Sequence, residues 1–447
     1  MKFKSTNLSF WATSVALAGF LFGFDTVVIS GANLPIRELW NTSPWFHGFF
    51  IMSSALWGTV LGALTGGIPT DKYGRKNTLI VIGVLYTVSA LGSALAPDPY
   101  SFSFFRFIGG LGVGASSVTV PTYLSEIAPS AHRGKLVARY QFMIVLGILV
   151  AFISNYLLKG VGGSLDWRFM LGIEALPALC YLFLVFRIPQ SPRWLMIYKN
   201  DKAKAYKVLQ DLGVSTPEEA LLRIQASVKD SRTKRLFRRG LAVPVTLAFL
   251  MAFFNQLSGI NFILYYAPEI LERSGLGDRA SLLNSIYIGG INLIFTMWGM
   301  YLVDKSGRRQ LMFLGSLGYI ISLSMVALGF YHGLSPGFML VFILMFIAAH
   351  AIGQGAVIWV FISEIFPNQV RATGQSFGAA VHWIFAAVIT LVTPVFLDAE
   401  QGIFRENPWP IFVFFAVFMG LQLLFVIWMM PETKGRSLEE IQQQYQI

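Results

Sequence analysis

One cysteine, Cys180, stands in 447 residues, which leaves no partner for an intrachain disulfide and no thiolate set for a metal. Charge is nearly as scarce: 13% of the residues are Asp, Glu, Lys or Arg, against roughly 25% in a water-soluble domain. The chain has no Walker A loop and no H-E-x-x-H pair. Its dense glycine run, GGLGVG at 109–114, sits inside an apolar stretch and follows no strand. ATP-driven pumping, enzymatic chemistry and a bound metal or cofactor are therefore not expected. A net charge of +11 would suggest nucleic acid in a soluble chain, but here the bases fall between apolar runs rather than on one face, so no nucleic-acid partner is expected.

What is plentiful is apolar surface. Hydrophobic residues make up 55% of the chain and aromatics 15%, with a mean hydropathy of +0.61, more than a water-soluble fold can hide. Runs long enough to cross a bilayer fall near 10–34, 47–70, 78–96, 103–125, 136–158 and 168–188, then 241–267, 282–303, 311–331, 337–362, 374–397 and 409–430. The first continues through Asp25 with no small-residue cleavage site, so it reads as a membrane helix rather than a signal peptide. The expectation is an all-α membrane protein with twelve transmembrane helices in two six-helix halves, 1–188 and 240–430. Between them lies a polar insert, 189–239, whose DKAKAYKVLQDLG and PEEALLRIQASVKD stretches have the spacing of short amphipathic helices; a tail, 431–447, follows. With the N-terminus cytoplasmic, the cytoplasmic segments carry 26 Lys and Arg. The opposite side carries six: Arg37, Lys159, Arg168, Arg273, Arg279 and Arg405. That asymmetry predicts both termini inside.

Two motifs recur in order. DKYGRK at 71–76 returns as DKSGRR at 304–309, and SEIAPSAHRGK at 125–135 returns as SEIFPNQVRATG at 363–374. Each copy follows an even-numbered run, so the halves are expected to be parallel repeats about an axis along the membrane normal, with a substrate site between them at the midplane. The acids and bases of these motifs are Asp71, Arg75, Glu126, Arg133, Asp304, Arg308, Glu364 and Arg371. They are expected to form interhelical ion pairs that hold the cytoplasmic ends together in one state and release them in another.

These loops, with PQSPRWL at 189–195, NQLSGIN at 255–261, YYAPE at 265–269 and PETKGRSLEEI at 431–441, resemble the sugar porter family of the major facilitator superfamily from Gly23 to Ile441. The resemblance implies a major facilitator fold, transport of a monosaccharide and a plasma (cell inner) membrane location. One departure is Gln190, where the family's Pro-Glu-Ser-Pro-Arg run has glutamate. It puts one cytoplasmic ion pair in question.

Asp25 lies in the middle of the first run and Arg106 within the fourth. An ion at the bilayer centre costs roughly 2.5–3.5 kcal/mol, so each is a candidate partner for the other. With Asp25 ionised the pair holds; with Asp25 protonated it loosens and the halves are free to rock. An aspartate here, with the fourth-run arginine, resembles the proton-coupled members of the family. In the seventh run Asn255, Gln256, Asn261 and Tyr265 share a broad helical face, with Gly259 as a point of interruption; amides both donate and accept, as sugar hydroxyls do. Gln141, Asn292, Trp359, His382 and Trp383 are further polar or aromatic groups in apolar runs. By resemblance the sugar contacts fall on Gln141, Gln256, Asn261, Tyr265, Asn292 and Trp359, with Trp383 nearby. Asn255 and His382 depart from the commonest pattern. Gly353 and Gly355 are expected to weaken the tenth helix ahead of Trp359. His350 is read as structural and Glu174 is unassigned, while Asn41-Thr42-Ser43 is a chance sequon. The expected activity is proton-coupled symport of a glucose-like hexose by a monomer in the lipid bilayer. A facilitative uniporter and a non-transporting sugar sensor are the alternatives.

Overall fold

The computed structural model describes residues 5–129, 133–228, 236–237, 239–367 and 370–435. The described residues are mostly helical, and some of the apolar runs begin on a side chain that satisfies the helix end. The Asp98 carboxylate accepts from Tyr100 N–H at 2.9 Å and Ser101 N–H at 3.0 Å, with Pro99 at the first helical position, and so starts the fourth span. Ser335 and Pro336 start the tenth in the same way.

Among the described residues, eleven helices are long and apolar enough to cross a bilayer, and a twelfth span appears when one bent pair is counted as one. The first six are Ser5–Trp40, the bent pair Pro44–Met52 and Ser54–Thr65, Arg75–Leu95, Pro99–Ile127, Arg133–Leu158 and Gly163–Phe186. The second six are Ala242–Tyr265, Asp278–Ser306, Arg308–His332, Pro336–Ile365, Arg371–Leu397 and Trp409–Trp428. The second span departs from the straight run expected, because it bends by 42° at Ser53. The repeat is also conformational. Gly74 (φ 90°, ψ 159°) and Gly307 (φ 89°, ψ 162°) turn the chain identically ahead of the third and ninth spans, a backbone shape that only glycine adopts without strain.

The insert forms three short helices, Pro192–Tyr198, Lys202–Asp211 and Pro217–Val228. Trp194, Leu195, Met196, Ala205, Val208 and Leu212 pack with Trp11, Leu79 and Tyr123 of the first half. Trp194 Nε1–H donates to the Asp71 carbonyl at 2.7 Å, and Tyr123 O–H to that of Pro189 at 3.0 Å. The insert helices are thus fastened to the first half rather than bracing both halves. Among the described residues after the helices, Leu236 joins the other core and the Phe237 ring meets that of Phe377 of the second half at 5.8 Å.

Candidate functional site

The charged motifs come together within each half. Arg75 clasps Glu126 through two hydrogen bonds (2.8 and 2.9 Å), donates to the Thr70 carbonyl at 3.1 Å and meets Asp71 at 3.1 Å. Arg308 repeats the pattern with Glu364 (2.8 and 3.1 Å), the Val303 carbonyl (2.9 Å) and Asp304 (3.4 Å). Among the described residues no ion pair on this side joins the two halves, so these charges brace each half internally in this conformation. Arg371 makes no ion pair among the described residues; its Nε donates to the Phe366 carbonyl at 3.4 Å. The Arg133 side chain lies outside the described residues.

Gln190 occupies the place that Glu432 holds in the second half. Its side-chain oxygen accepts from Lys76 N–H at 3.1 Å at the start of the third span. The Glu432 carboxylate accepts from Arg308 and Arg309 N–H at 3.0 Å each at the start of the ninth. The departure therefore keeps a helix cap and loses a charge. Burial works against the Glu432 charge, but backbone donors from Lys434, Arg308 and Arg309 outweigh it and hold the carboxyl below its usual range.

At the opposite ends of the spans the halves are tied together, by residues that the sequence left unassigned. Arg37 of the first span pairs with Asp398, after the eleventh, and lies 3.7 Å from Glu269 in the short helix Ala267–Arg273 that follows the seventh. Asn33 donates to Glu269 at 2.7 Å and meets His47 at 2.7 Å. Lys159, between the fifth and sixth spans, pairs with Asp278 of the eighth at 2.8 Å. Gly48 lies so close to the eleventh span that an added Cβ would stand 1.9 Å from the Leu391 carbonyl oxygen. The signal was in the motif YYAPE itself, whose acid is Glu269.

Inside the bilayer, Asp25 and Arg106 form an ion pair, and Arg106 also donates to the Asp25 carbonyl at 3.0 Å. Glu174, at a kink in the sixth span, shares a side-chain hydrogen bond with Asp25. All three are 2% exposed. One carboxylate balances Arg106, so a proton taken up by either acid would leave the centre without net buried charge. Tyr265 of the seventh span reaches it too: its hydroxyl bonds Thr26, one residue from Asp25, and interacts with Arg106.

Beside this centre the seventh span breaks at Gly259 (φ 85°). Gln256 Nε2 donates to the Asn255 side-chain oxygen at 3.2 Å and lies 3.1 Å from the His382 ring nitrogens. The ring of His382 touches those of Trp359 (5.1 Å) and Trp383 (4.8 Å), and Trp383 meets Phe22 of the first half at 5.5 Å. Gln256 Oε1 and Asn261 Nδ2 are buried with no hydrogen-bond partner, as befits groups that answer a polyhydroxylated ligand. Asn292 accepts from Thr296 at 3.3 Å. Gln141 is half-buried on the fifth span, which packs against the eighth. Among the described residues neither is hydrogen-bonded to the Gln256 cluster. The structure thus joins the seventh, tenth and eleventh spans at one cluster.

One pentad, Gly374-Gln375-Ser376-Phe377-Gly378, matches the serine-nucleophile pattern G-x-S-x-G. It lies within the eleventh span, with the Ser376 hydroxyl donating to the Ala372 carbonyl at 3.0 Å, and has neither the strand nor the sharp turn that chemistry needs. Among the described residues no group of three or more His, Cys, Asp or Glu is placed to hold a metal ion.

Residues 11–445 match the model of a family described as sugar (and other) transporter. The chain is 35% identical over 440 residues to an arabinose-proton symporter of Bacillus subtilis, covering 96% of this chain and 93% of that one. It is 34% identical over 432 residues to a glucose transporter of Staphylococcus epidermidis, covering 96% and 95%. The fold superimposes on a partially occluded, inward-open xylose transporter from E. coli with a TM-score of 0.85 at 31% identity, covering 97% of this chain and 100% of that chain.

Proposed function

This chain belongs to the sugar porter family of the major facilitator superfamily and is a multi-pass sugar transporter, not an enzyme, and from that premise we propose that it is a proton-coupled monosaccharide symporter working by alternating access. The observation that carries the coupling is the buried centre of Asp25, Arg106 and Glu174. An ionised Asp25 is held by Arg106; a proton on Asp25 releases the guanidinium, and because Tyr265 touches both this centre and the broken seventh span, the release reaches the sugar-binding helix. Gln256, Asn255, Asn261, Tyr265, Asn292 and Gln141 supply amides and a phenol for sugar hydroxyls. Trp359, Trp383 and His382 supply flat faces for the C–H side of a pyranose. A glucose-like hexose is the first candidate. The relatives named for arabinose and glucose, and the solved xylose transporter, make pentoses the second.

The insert, both termini and the repeated charged loops lie on the cytoplasmic side of a bacterial-type inner membrane in this reading, which the asymmetry of Lys and Arg supports. The Arg75 and Arg308 clasps, with Asp71, Glu126, Asp304 and Glu364, keep each half rigid as it rocks and join across the halves only in the outward-open state; Arg133 and Arg371 complete them there. The halves 1–188 and 240–430 move as the rocking units, carrying the insert 189–239 and the tail 431–447. One chain encloses the whole site, so the working unit is a monomer.

Uptake of radiolabelled D-glucose, D-xylose and L-arabinose into proteoliposomes, with and without an inward proton gradient, tests this reading. The wild type is expected to accumulate at least one of them above equilibrium, and Asp25→Asn to lose accumulation while keeping exchange. A wild type that only equilibrates sugar, whatever the gradient, would make the protein a facilitator.

A further inference from the structure

Building on the proton-coupled reading, we propose that the coupling proton leaves the Asp25, Glu174 and Arg106 centre through a relay of hydroxyls and waters inside the first half. Its members are Ser89, Tyr86, Ser116 and Tyr140, and it bypasses the sugar cavity. The need for a route comes from burial. In this conformation the halves are closed at the ends opposite the insert, so the centre must discharge toward the insert side. Yet its three ionisable groups are each 2% exposed.

The third span lays out the first steps. Tyr86, Ser89 and Ser93 are three and four residues apart and share one face of that helix, all buried. The Ser89 and Ser93 hydroxyls, Arg106 Nε and Glu174 Oε1 have no hydrogen-bond partner among the described residues. A Cβ built on Gly109 would stand 2.3 Å from Ser89 Oγ and 3.6 Å from Asp25 Oδ1, so hydroxyl and carboxylate both lie against the bare face of this glycine. Tyr86 lies near enough to feel the charges of both Asp25 and Glu174.

From Tyr86 the path descends. Its hydroxyl is 3.3 Å from Ser116 Oγ, which is 3.5 Å from the Tyr140 hydroxyl. Ser116 is ten residues beyond Arg106 along the fourth span, roughly 15 Å nearer the insert side, and Tyr140 lies in the second turn of the fifth span, which starts there. The titratable groups facing the route are Asp25 from the first span, Arg106 from the fourth, Glu174 and Tyr181 from the sixth and Tyr265 from the seventh. In the transfer, the proton shared by the carboxyls passes to a water held by Ser89. Each hydroxyl then takes a proton on a lone pair as it gives up its own, and the last water on the insert side carries the charge away. Only O–H bonds form and break, no tyrosinate accumulates, and Asp25, left ionised, is held by Arg106 as in this structure.

The test reconstitutes wild type, Tyr86→Phe, Ser116→Ala and Ser89→Ala in proteoliposomes, with radiolabelled D-xylose, D-glucose and L-arabinose as probes and an entrapped pH dye. Sugar-driven proton movement and gradient-driven accumulation are expected to fall at least about tenfold in Tyr86→Phe and Ser116→Ala, while sugar exchange without a gradient stays within about twofold. Unchanged accumulation in all three variants overturns the relay. Parallel loss of exchange and accumulation in all three makes the hydroxyls packing groups and overturns it equally. A wild type that never accumulates sugar overturns the coupled reading itself, which separates that failure from failure of the relay.

Discussion

At the scale of single residues, side chains that are alike in the sequence separate by what they touch. Gln256 is buried against Asn255 and His382 with an oxygen left open, whereas Gln354 and Gln422, equally polar and equally deep, bond each other and Ser316 behind the tenth span. Gln256→Ala is therefore expected to raise the KM for sugar by about tenfold or more, the loss of one or two hydrogen bonds to a ligand; uptake at varied sugar concentration measures it. Gln190 gives a second prediction. A carboxylate in its place would face the amide of Lys76 as Glu432 faces those of Arg308 and Arg309. Gln190→Glu should stabilise the protein by about 0.5–1 kcal/mol, read as a higher Tm in detergent. The candidate amides and rings were legible from composition and resemblance. Which amides were already engaged was not, because that depends on neighbours from distant spans.

At the scale of the element, breaks matter more than lengths. The seventh span is interrupted at Gly259 and the tenth at Gly353, where the φ and ψ angles of −82° and −100° leave the helix. A buried chain backs the second break: the Tyr319 hydroxyl lies 2.6 Å from His350 Nδ1 and donates to Gln354 at 3.1 Å. Glycine content pointed to both interruptions. The bend of the second span at Ser53 carried no comparable signal, since no proline or glycine marks it. Its first segment brings Gly48 against the eleventh span, and there a side chain has no room. Gly48→Val should keep the halves from closing at that end, so that exchange slows by about tenfold or more while the protein still folds and binds sugar; counterflow and equilibrium binding separate the two.

At the scale of the whole molecule, the halves meet, among the described residues, through ion pairs on one side only. Removing one partner of a buried pair costs about 3–5 kcal/mol, enough to shift a conformational balance by orders of magnitude. Arg37→Ala, which leaves Asp398 and Glu269 unpaired, should open that end. A Leu391→Cys probe in a Cys180→Ala background should then react with an impermeant maleimide about tenfold faster or more. The same mouth holds a pH response. Burial, and then the carboxylates of Asp278 and Glu269, push Glu272 up to about 7. A carboxyl raised in the folded state binds its proton more tightly there, so its contribution to stability is full below its ordinary range near 4.5 and is lost as pH rises through about 7. Glu272→Gln should therefore unfold at a higher temperature than wild type near about pH 8, and the two should converge near about pH 4.

The sequence by itself determined the solvent, the number of apolar runs, the parallel repeat and the family. Each of these follows from local composition and from motifs that recur in the same chain, and none depends on how the halves sit. Only the tertiary structure decided which charges pair and where. The repeated motifs close within their own halves because a turn places Arg75 beside Glu126 and Arg308 beside Glu364. Arg37, Glu269 and Asp398 meet across the halves, although hundreds of residues separate the first from the other two. Glu174 had no assignment in the sequence for the same reason: its partner Asp25 is five spans away, and a buried cluster of two acids and a base exists only where the fold brings them to one place out of water.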